Sequence, residues 1–262
     1  MTADSHIARD STAPFPGVVQ LLQFSLPLAV GWSLAIVMHR ATGESFSEAG
    51  IILLLAGIGA AYSFDRLFDS GRPQWLRWAL LAETAACAAV VLFAASKMPR
   101  GVLEGIIVAG ITSLLYTRLK KFPFLKTIVV ALTWTWACAA LPFAGAAHAQ
   151  WWCYGVTFPL ILILSADCIL CDLKDVAQDR ADRVPTLPVL IGNRSTCLIA
   201  TSMAVVAAGI AFVAGRRGIA ACGILLAVAA QFPQVLSRKT IGPVLIDAIL
   251  VIPGALIAAG LA

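Results

Sequence analysis

Two acidic segments of the chain carry carboxylates at helical spacing. Asp65 and Asp69 are four residues apart in the first segment, and the second segment contains Asp172, Asp175 and Asp179. Side chains three or four residues apart lie on one face of an α-helix. Neither segment contains a Gly or Pro that would interrupt a helix, so each one predicts a continuous helical stripe of carboxylates.

The chemistry that suits two such stripes is the binding of divalent cations around a polyanion. Mg²⁺ prefers oxygen ligands, and proteins usually hold it with one or two carboxylates together with substrate phosphates and water. Arg66 directly follows Asp65, and Arg180 directly follows Asp179, so each stripe also has a positive charge beside it. The stripes therefore predict two Mg²⁺ ions that bridge one diphosphate. The structural alternative is a pair of solvated helix ends whose acids pair with these arginines.

A basic segment, which runs from Tyr116 to Lys126, lies between the two acidic segments in the chain. Lysine binds phosphate as a point charge. Lys120 follows Tyr116 by four residues and shares its helical face. We predict that Tyr116, Lys120 and Lys121 bind the phosphates, whereas we interpret Lys126 as a charge that anchors the chain at the membrane boundary.

The elements that position these residues are predicted to be membrane-spanning helices. Hydrophobic residues make up 60% of the 262 residues and charged residues 13%, against about 45–50% and about 25% in a soluble domain. This composition excludes an ordinary soluble enzyme, a disordered chain and a disulfide scaffold. A membrane helix needs about 20 mainly apolar residues, and nine such stretches are found at roughly 17–38, 48–67, 76–96, 101–117, 126–147, 151–172, 195–214, 218–236 and 241–262. We predict an all-α integral membrane fold of nine transmembrane helices, with residues 1–16 as a polar cytoplasmic segment and 17–262 as a single domain.

The positions of the basic residues predict how the spans are oriented. Cytoplasmic loops carry an excess of Lys and Arg. Nine spans place 14 of the 19 Lys and Arg residues on one side of the membrane, together with the N-terminus and both acidic segments. We predict that this side faces the cytoplasm and that Ala262 lies outside.

Three further acids lie deeper in the predicted spans. Asp167 precedes Asp172 by five residues, and Glu83 and Asp247 lie seven and six residues into their spans. Charged side chains within a membrane are costly and usually mark function. We predict that Asp167 contacts the acceptor or the diphosphate. A structural hydrogen bond between helices is the alternative for all three acids.

These three segments, in this order on nine predicted spans, resemble the UbiA family of intramembrane prenyltransferases. The family's first motif ends in Asp-x-x-x-Asp, which Asp65 and Asp69 match. The family also has a Tyr-x-x-x-Lys element, which Tyr116 and Lys120 match.

The second acidic motif is the most specific part of the resemblance. It covers residues 171–180 and is followed by a Thr-Leu stretch that begins at Thr186. Within it, Cys171 and Lys174 stand where the family commonly has Asn and Arg. In the first motif, Ala61 and Tyr62 stand where the family has Asn and Asp, which removes two oxygen ligands from one metal position.

The resemblance implies a U-shaped bundle of nine helices around a central cavity that opens sideways to lipid. A prenyl diphosphate would bind head-first between the two acidic motifs through Mg²⁺, and a lipophilic or aromatic acceptor would attack its C1 carbon. The partners would be the prenyl diphosphate donor, an acceptor and the bilayer, with no nucleic acid. The site would face the cytoplasm from a bacterial inner membrane.

The same resemblance divides the predicted site residues by role. The metal ligands would be Asp65, Asp69, Asp172, Asp175 and Asp179. The residues that bind the diphosphate or the acceptor would be Arg66, Tyr116, Lys120, Lys121, Asp167, Lys174 and Arg180. The residues assigned to catalysis would be Asp65, Asp69, Lys120, Asp175 and Asp179.

Two other functions stay open at this point. A terpene cyclase of the same family would ionise the same donor but quench the cation within the donor's own chain. A membrane transporter of a phosphorylated anion would use the basic loops without two acidic stripes, and it would show inverted repeats and helices broken at the midplane. No clear repeat is visible, although prolines interrupt several predicted spans. The sequence specifies neither the acceptor nor the chain length of the donor.

Overall fold

The computed structural model describes residues 16–67, 73–119, 121–122, 124–144, 154–239 and 241–261. All regular secondary structure within these residues is helical. The predicted N-terminal segment, 1–16, lies outside them except for Pro16, at which the first helix begins.

The apolar stretches of the sequence correspond to the long helices of the structure. In chain order the helices are α1 (Pro16–Thr42), α2 (Glu48–Leu67), α3 (Gln74–Ala95), α4 (Arg100–Leu119), α5 (Leu125–Ala140), α6 (Tyr154–Cys171), α7 (Val176–Ala181), α8 (Leu187–Ile191), α9 (Asn193–Val213), α10 (Arg217–Ala229), α11 (Pro233–Leu236) and α12 (Ile241–Ala258). Each predicted stretch overlaps one of the longer helices. Short 3-10 turns, Leu141–Phe143 and Asp172–Lys174, extend α5 and α6.

Six of the described helical segments are long and apolar enough to cross a membrane. They are Glu48–Leu67, Gln74–Ala95, Leu125–Phe143, Gly155–Lys174, Asn193–Val213 and Ile241–Ala258. The apolar helix α10 is shorter than these. The all-helical membrane architecture is therefore confirmed at this level, whereas nine crossings and a lipid-open central cavity stay predictions.

The helices form a closed ring in which each long helix packs against the next. Contacts run from α1 through α6, continue through α9, α10 and α12, and end where α12 packs against α1. Large apolar side chains from several helices meet in the core without exposure, among them Leu34, Ile163, Leu226 and Ile246. The outward surface carries exposed apolar side chains such as Phe212, as expected where lipid tails replace water.

A serine side chain joins α1 to α12 where the ring closes. The Ser33 hydroxyl donates to the Leu250 carbonyl oxygen at 2.8 Å and accepts from the Gly254 amide at 3.2 Å. It therefore bridges two backbone groups that an undisturbed helix joins directly. A Cβ atom on Gly254 would overlap Ser33, so a glycine is needed for the two helices to approach this closely.

One end of the ring brings the acidic segments together with the basic one. Tyr62 near the end of α2 lies within electrostatic range of Asp167 on α6 and Asp247 on α12. Lys126 at the start of α5 contacts Asp172, directly after α6. We call this end, where α2 and α6 finish and α5 and α12 begin, the motif end.

Candidate functional site

The second acidic motif folds as three short pieces instead of one helix. α6 ends at Cys171, a 3-10 turn covers Asp172–Lys174, and α7 begins after Asp175. The Asp175 amide donates to the Asp172 carbonyl oxygen at 3.1 Å, which is the tighter hydrogen bond of a 3-10 turn. The prediction of one continuous stripe is therefore wrong for this motif. The turn packs against α8 and α11, and this tertiary constraint is not contained in the spacing of the acids.

The three acids of this motif nevertheless stay near one another. The Asp172 carboxylate lies within electrostatic range of both Asp175 and Asp179. Asp172 is only 4% exposed, whereas the Asp175 side chain is 40% exposed. The motif therefore presents one buried and one accessible carboxylate at the same place.

Lys126, in the first turn of α5, neutralises the buried acid. Its Nζ atom lies 2.5 Å from Oδ1 of Asp172, and the lysine side chain is 24% exposed. Loss of either partner of a buried ion pair is strongly destabilising, because the other charge is left buried without compensation. The chain turns at Phe124, whose φ of 62° is in the left-handed region, directly before α5. The lysine that we interpreted as a membrane anchor thus has a specific partner in the acidic motif.

Asp179 is oriented by the segment that returns from α7 to α8. The Thr186 hydroxyl donates to Oδ2 of Asp179 at 3.0 Å, and the Val184 amide donates to the Asp179 carbonyl oxygen at 2.8 Å. Thr186 is only 6% exposed. The seven-residue spacing between Asp179 and Thr186 is therefore the length of a loop that folds back onto the carboxylate.

The cations of the second motif lie nearer the surface. Lys174 Nζ is 3.9 Å from Oδ2 of Asp175, and both side chains are partly exposed. Exposed pairs of this kind contribute about 0–1 kcal/mol, so Lys174 is not bound tightly by its neighbour. Arg180 is exposed on α7.

The first acidic motif lies on the last turns of α2. Asp65 is exposed there and Arg66 is half-buried. Tyr116 lies in the last turn of α4, and Lys121 is exposed in the connection from α4 to α5. The predictions for Asp69 and Lys120 fall outside the described residues.

A second polar group lies beside the motifs, deeper in the bundle. Asp167 and Asp247 lie within electrostatic range of each other and of Tyr62. Lys174 and Arg66 are in turn within range of Asp247. The Oδ1 atom of Asp167 is buried and has no hydrogen-bond partner among the described residues. Asp167 thus lies beside the motif end, and its contact with the acceptor or the diphosphate stays a prediction.

The remaining deep acid is on the helix that follows α2. Glu83 lies on α3, within electrostatic range of Cys87 on the same helix. Tyr62, by contrast, stands where the family pattern has an aspartate and faces the two deep carboxylates on α6 and α12. The tyrosine that replaces the family's aspartate thus lies near two other carboxylates.

The carboxylates of the second motif suit a hard divalent cation. Asp172, Asp175 and Asp179 offer oxygen atoms only. No three His, Cys, Asp or Glu side chains of the described part of the chain make up a complete metal-binding group. Mg²⁺ usually takes one or two carboxylates and completes its coordination with phosphate and water. These residues therefore fit Mg²⁺ shared between protein and substrate.

Sequence reasoning gave no site role to Lys126, Thr186 or Tyr62. The sequence could have indicated a site role for Lys126, because this residue ends a basic segment whose other lysines we assigned to phosphate binding. Thr186 was noticed only as part of the family pattern. Nothing in the local sequence indicates that Tyr62 lies near Asp247, since the two residues are on different helices.

Comparison with known proteins supports the resemblance. The sequence model of the UbiA prenyltransferase family matches residues 72–240, well over half of the chain. The match includes the basic segment and the second acidic motif and begins after Asp65 and Asp69. No curated protein matches the chain significantly in sequence.

Solved structures share the fold over nearly the whole chain. The apo structure of a UbiA homolog from Aeropyrum pernix K1 aligns with a TM-score of 0.66 at 16% identity, covering 93% of this chain and 99% of that one. A UbiA homolog from Archaeoglobus fulgidus bound to GPP and Mg²⁺ aligns with a TM-score of 0.60 at 14% identity, covering 92% and 98%. A structure of such a homolog bound to DMAPP and Mg²⁺ aligns with a TM-score of 0.54 at 18% identity, covering 92% and 96%. These structures show the common fold, and the match over residues 72–240 shows the relationship: the chain belongs to the UbiA prenyltransferase family.

Proposed function

We propose that this protein transfers a prenyl group from a prenyl diphosphate to a lipophilic or aromatic acceptor within the membrane, and that the reaction requires Mg²⁺. The observation that carries this proposal is the contact between the basic segment and the second acidic motif, made by Lys126 and Asp172. It brings cations and carboxylates side by side, which is what a site for both metal and diphosphate needs. Membership of a prenyltransferase family argues against a transporter of a phosphorylated anion.

The diphosphate end of the proposed site draws on both acidic motifs. Asp172, Asp175 and Asp179 would hold Mg²⁺ from one side, and Asp65 and Asp69 from the other. The UbiA homologs from Archaeoglobus fulgidus that were solved with Mg²⁺ and GPP or DMAPP support this choice of ligand. Mg²⁺, when bound, would neutralise part of the negative charge of the diphosphate.

The protein's own cations would act on the leaving group. As the bond from C1 to the diphosphate oxygen breaks, its electron pair leaves with the diphosphate, and negative charge grows on that oxygen. Cations fixed there stabilise the transition state more than they stabilise the bound donor. The residues proposed for this role are Arg66, Lys120, Lys121, Lys174 and Arg180, with Tyr116 beside them.

The prenyl chain and the acceptor would react in the apolar part of the bundle. Water would capture an allylic cation, so a site that excludes water protects it from that side reaction. The acceptor would supply an electron pair to C1 and release a proton to the diphosphate that has left C1. Asp167, deeper on α6 than the motif acids, is proposed to contact a polar group of the acceptor.

The experiment that tests this function is turnover by purified protein in lipid vesicles. The donors are labelled dimethylallyl, geranyl and longer prenyl diphosphates, offered with a panel of aromatic and lipid acceptors, and the products are identified by mass spectrometry. A prenylated acceptor that forms only with Mg²⁺ supports the proposal. A cyclised hydrocarbon formed without acceptor identifies a terpene cyclase instead, and full turnover in excess chelator overturns the metal-dependent mechanism.

A further inference from the structure

The buried carboxylate of the second motif already has a cation bound to it. Asp172 is 4% exposed, and Nζ of Lys126 lies 2.5 Å from its Oδ1 atom. Among the described residues, the carboxylates of Asp175 and Asp179 also lie within electrostatic range of Asp172. A divalent cation shared by the three acids would therefore have to compete with Lys126 for the Asp172 carboxylate.

Simultaneous binding of Lys126 and a divalent cation to this carboxylate is unfavourable. The two cations would repel each other at close range, and this repulsion is stronger in the protein interior than in water, because the interior has a lower dielectric constant. Lysine carries its charge on a flexible four-carbon stem, and the Lys126 side chain is partly exposed. It therefore has both the length and the room to leave Asp172 without leaving the site.

There is space beside the ion pair for a second partner of the lysine. This small cavity is lined by Lys126 and Asp172 themselves and by Phe122, Phe124, Thr127, Pro185, Thr186 and Leu187. Thr186 donates its hydroxyl hydrogen to Asp179, so this cavity adjoins two of the three acids. A diphosphate oxygen in this cavity would lie beside the lysine.

We propose that Lys126 exchanges partners during substrate binding. It neutralises Asp172 while the motif holds no metal, and it turns to the diphosphate once Asp172 binds a divalent cation. This inference rests on the proposed function and adds to it a positioning residue outside the Tyr116–Lys120 element. The exchange also avoids holding two cations at one buried carboxylate, which a fixed lysine would not.

The first test measures metal binding without donor. Mn²⁺ replaces Mg²⁺ as a spectroscopic probe, and its binding to the purified protein in detergent is followed by electron paramagnetic resonance. Lys126→Met removes the competing charge, so Mn²⁺ should bind about fivefold or more tightly, the lower range of coupling between two ligands. Lys97→Met is the matched control, because Lys97 is an exposed lysine beside the Phe93 ring and contacts none of the motif acids that the structure describes. It should leave Mn²⁺ affinity unchanged.

The second test measures the anion with the metal site saturated. Inorganic pyrophosphate is titrated into protein that holds Mn²⁺, and its affinity is read by calorimetry. Lys126→Met should weaken pyrophosphate binding about tenfold or more, as expected for the loss of a hydrogen bond from a charged donor. A gain in metal affinity with a loss in anion affinity is the signature of partner exchange. A lysine that only supports folding would lower both affinities, and that outcome overturns the inference.

Two further variants keep the test decisive. Lys126→Arg preserves the charge and should keep Mn²⁺ affinity near that of the wild type, even if Lys126→Met folds poorly. In an Asp172→Asn background, Lys126→Met should no longer raise Mn²⁺ affinity, because the competition it relieves has gone. An unchanged increase in that background overturns the exchange. Failure of the wild-type protein to bind Mn²⁺ or pyrophosphate at all would instead overturn the proposed function itself.

Discussion

The acids of the second motif are held in different ways, and these differences decide what a substitution should do. Asp172 is buried in an ion pair, Asp179 accepts a hydrogen bond from Thr186, and Asp175 is half-exposed beside Lys174. A change at Asp172 therefore affects folding and chemistry together. Asp175 offers the cleaner test of metal binding, since its half-exposed side chain contributes little to the stability of the fold.

We expect Asp175→Asn to weaken Mg²⁺ binding, so that turnover needs more Mg²⁺, without destabilising the fold. An amide keeps the shape of the side chain but loses the charge that attracts the cation. The Mg²⁺ concentration for half-maximal turnover should rise about 10- to 100-fold, the range seen when metal sites lose a supporting group. Asp182→Asn is the control, because Asp182 is exposed on the same segment and bonds to Gln178. Identical Mg²⁺ curves for the two variants would show that Asp175 is not a ligand.

We expect Thr186→Val to disturb Asp179 specifically. The variant keeps the volume of the side chain and removes the hydroxyl that donates at 3.0 Å. A hydrogen bond to a charged group contributes about 2 kcal/mol, so both the thermal unfolding temperature in detergent and the apparent affinity for Mg²⁺ should fall. Thr186→Ser retains the hydroxyl and should restore both. If the valine and serine variants behave alike, the hydroxyl does not orient Asp179.

At the scale of elements, the closure of the ring depends on α1 and α12. Their close approach at Gly254, bridged by the Ser33 hydroxyl, brings the start of α12 and its Asp247 to the motif end. Small residues and hydrogen bonds drive helix association where lipid removes the hydrophobic contribution. The Ser33–Gly254 contact lies seven residues further along α12 than Asp247 and helps to hold that part of the helix in place.

We expect Ser33→Ala to lower the free energy of unfolding by about 1 kcal/mol, in line with hydrogen bonds between membrane helices. The comparison variant is Ser202→Ala, whose hydroxyl donates to the Leu198 carbonyl oxygen within α9 at 2.9 Å. Thermal unfolding of both variants in the same detergent measures the difference. Gly254→Val should destabilise more than either, because its side chain would overlap Ser33. Equal unfolding temperatures for all three would remove the α1–α12 contact as a determinant of stability.

At the scale of the whole molecule, the motif end must lie on one side of the membrane. The structure brings the ends of α2 and α6 and the starts of α5 and α12 to the same end of the ring. The distribution of Lys and Arg predicts that this end is cytoplasmic. Six apolar segments in the described part of the chain are long enough to span a bilayer, which agrees with an integral membrane protein.

We expect reporters fused after Lys121 and after Ala262 to lie on opposite sides of the membrane. Lys121 belongs to the motif end, and nine crossings would place Ala262 outside. Paired fusions to one reporter that is active only in the cytoplasm and one active only outside measure this directly. Both positions on one side would contradict the nine-span topology, although the acidic motifs could still share a face.

Local physics allowed much of the fold to be predicted. A membrane helix needs a certain length of apolar sequence, and that requirement depends only on near neighbours along the chain. The predicted stretch 48–67 coincides with α2 for this reason. The family pattern likewise allowed Asp172, Asp175 and Asp179 to be proposed as metal ligands from one short segment, because their spacing is visible within it.

Only the tertiary structure decided which distant groups meet. Lys126 and Asp172 are 46 residues apart, and Ser33 and Gly254 are 221 apart. The end of α6 at Cys171, where the local pattern predicts a continuing helix, depends on packing by α8 and α11. Such pairings follow from how helices pack against one another, and a periodic pattern within one helix contains no information about the helix that will face it.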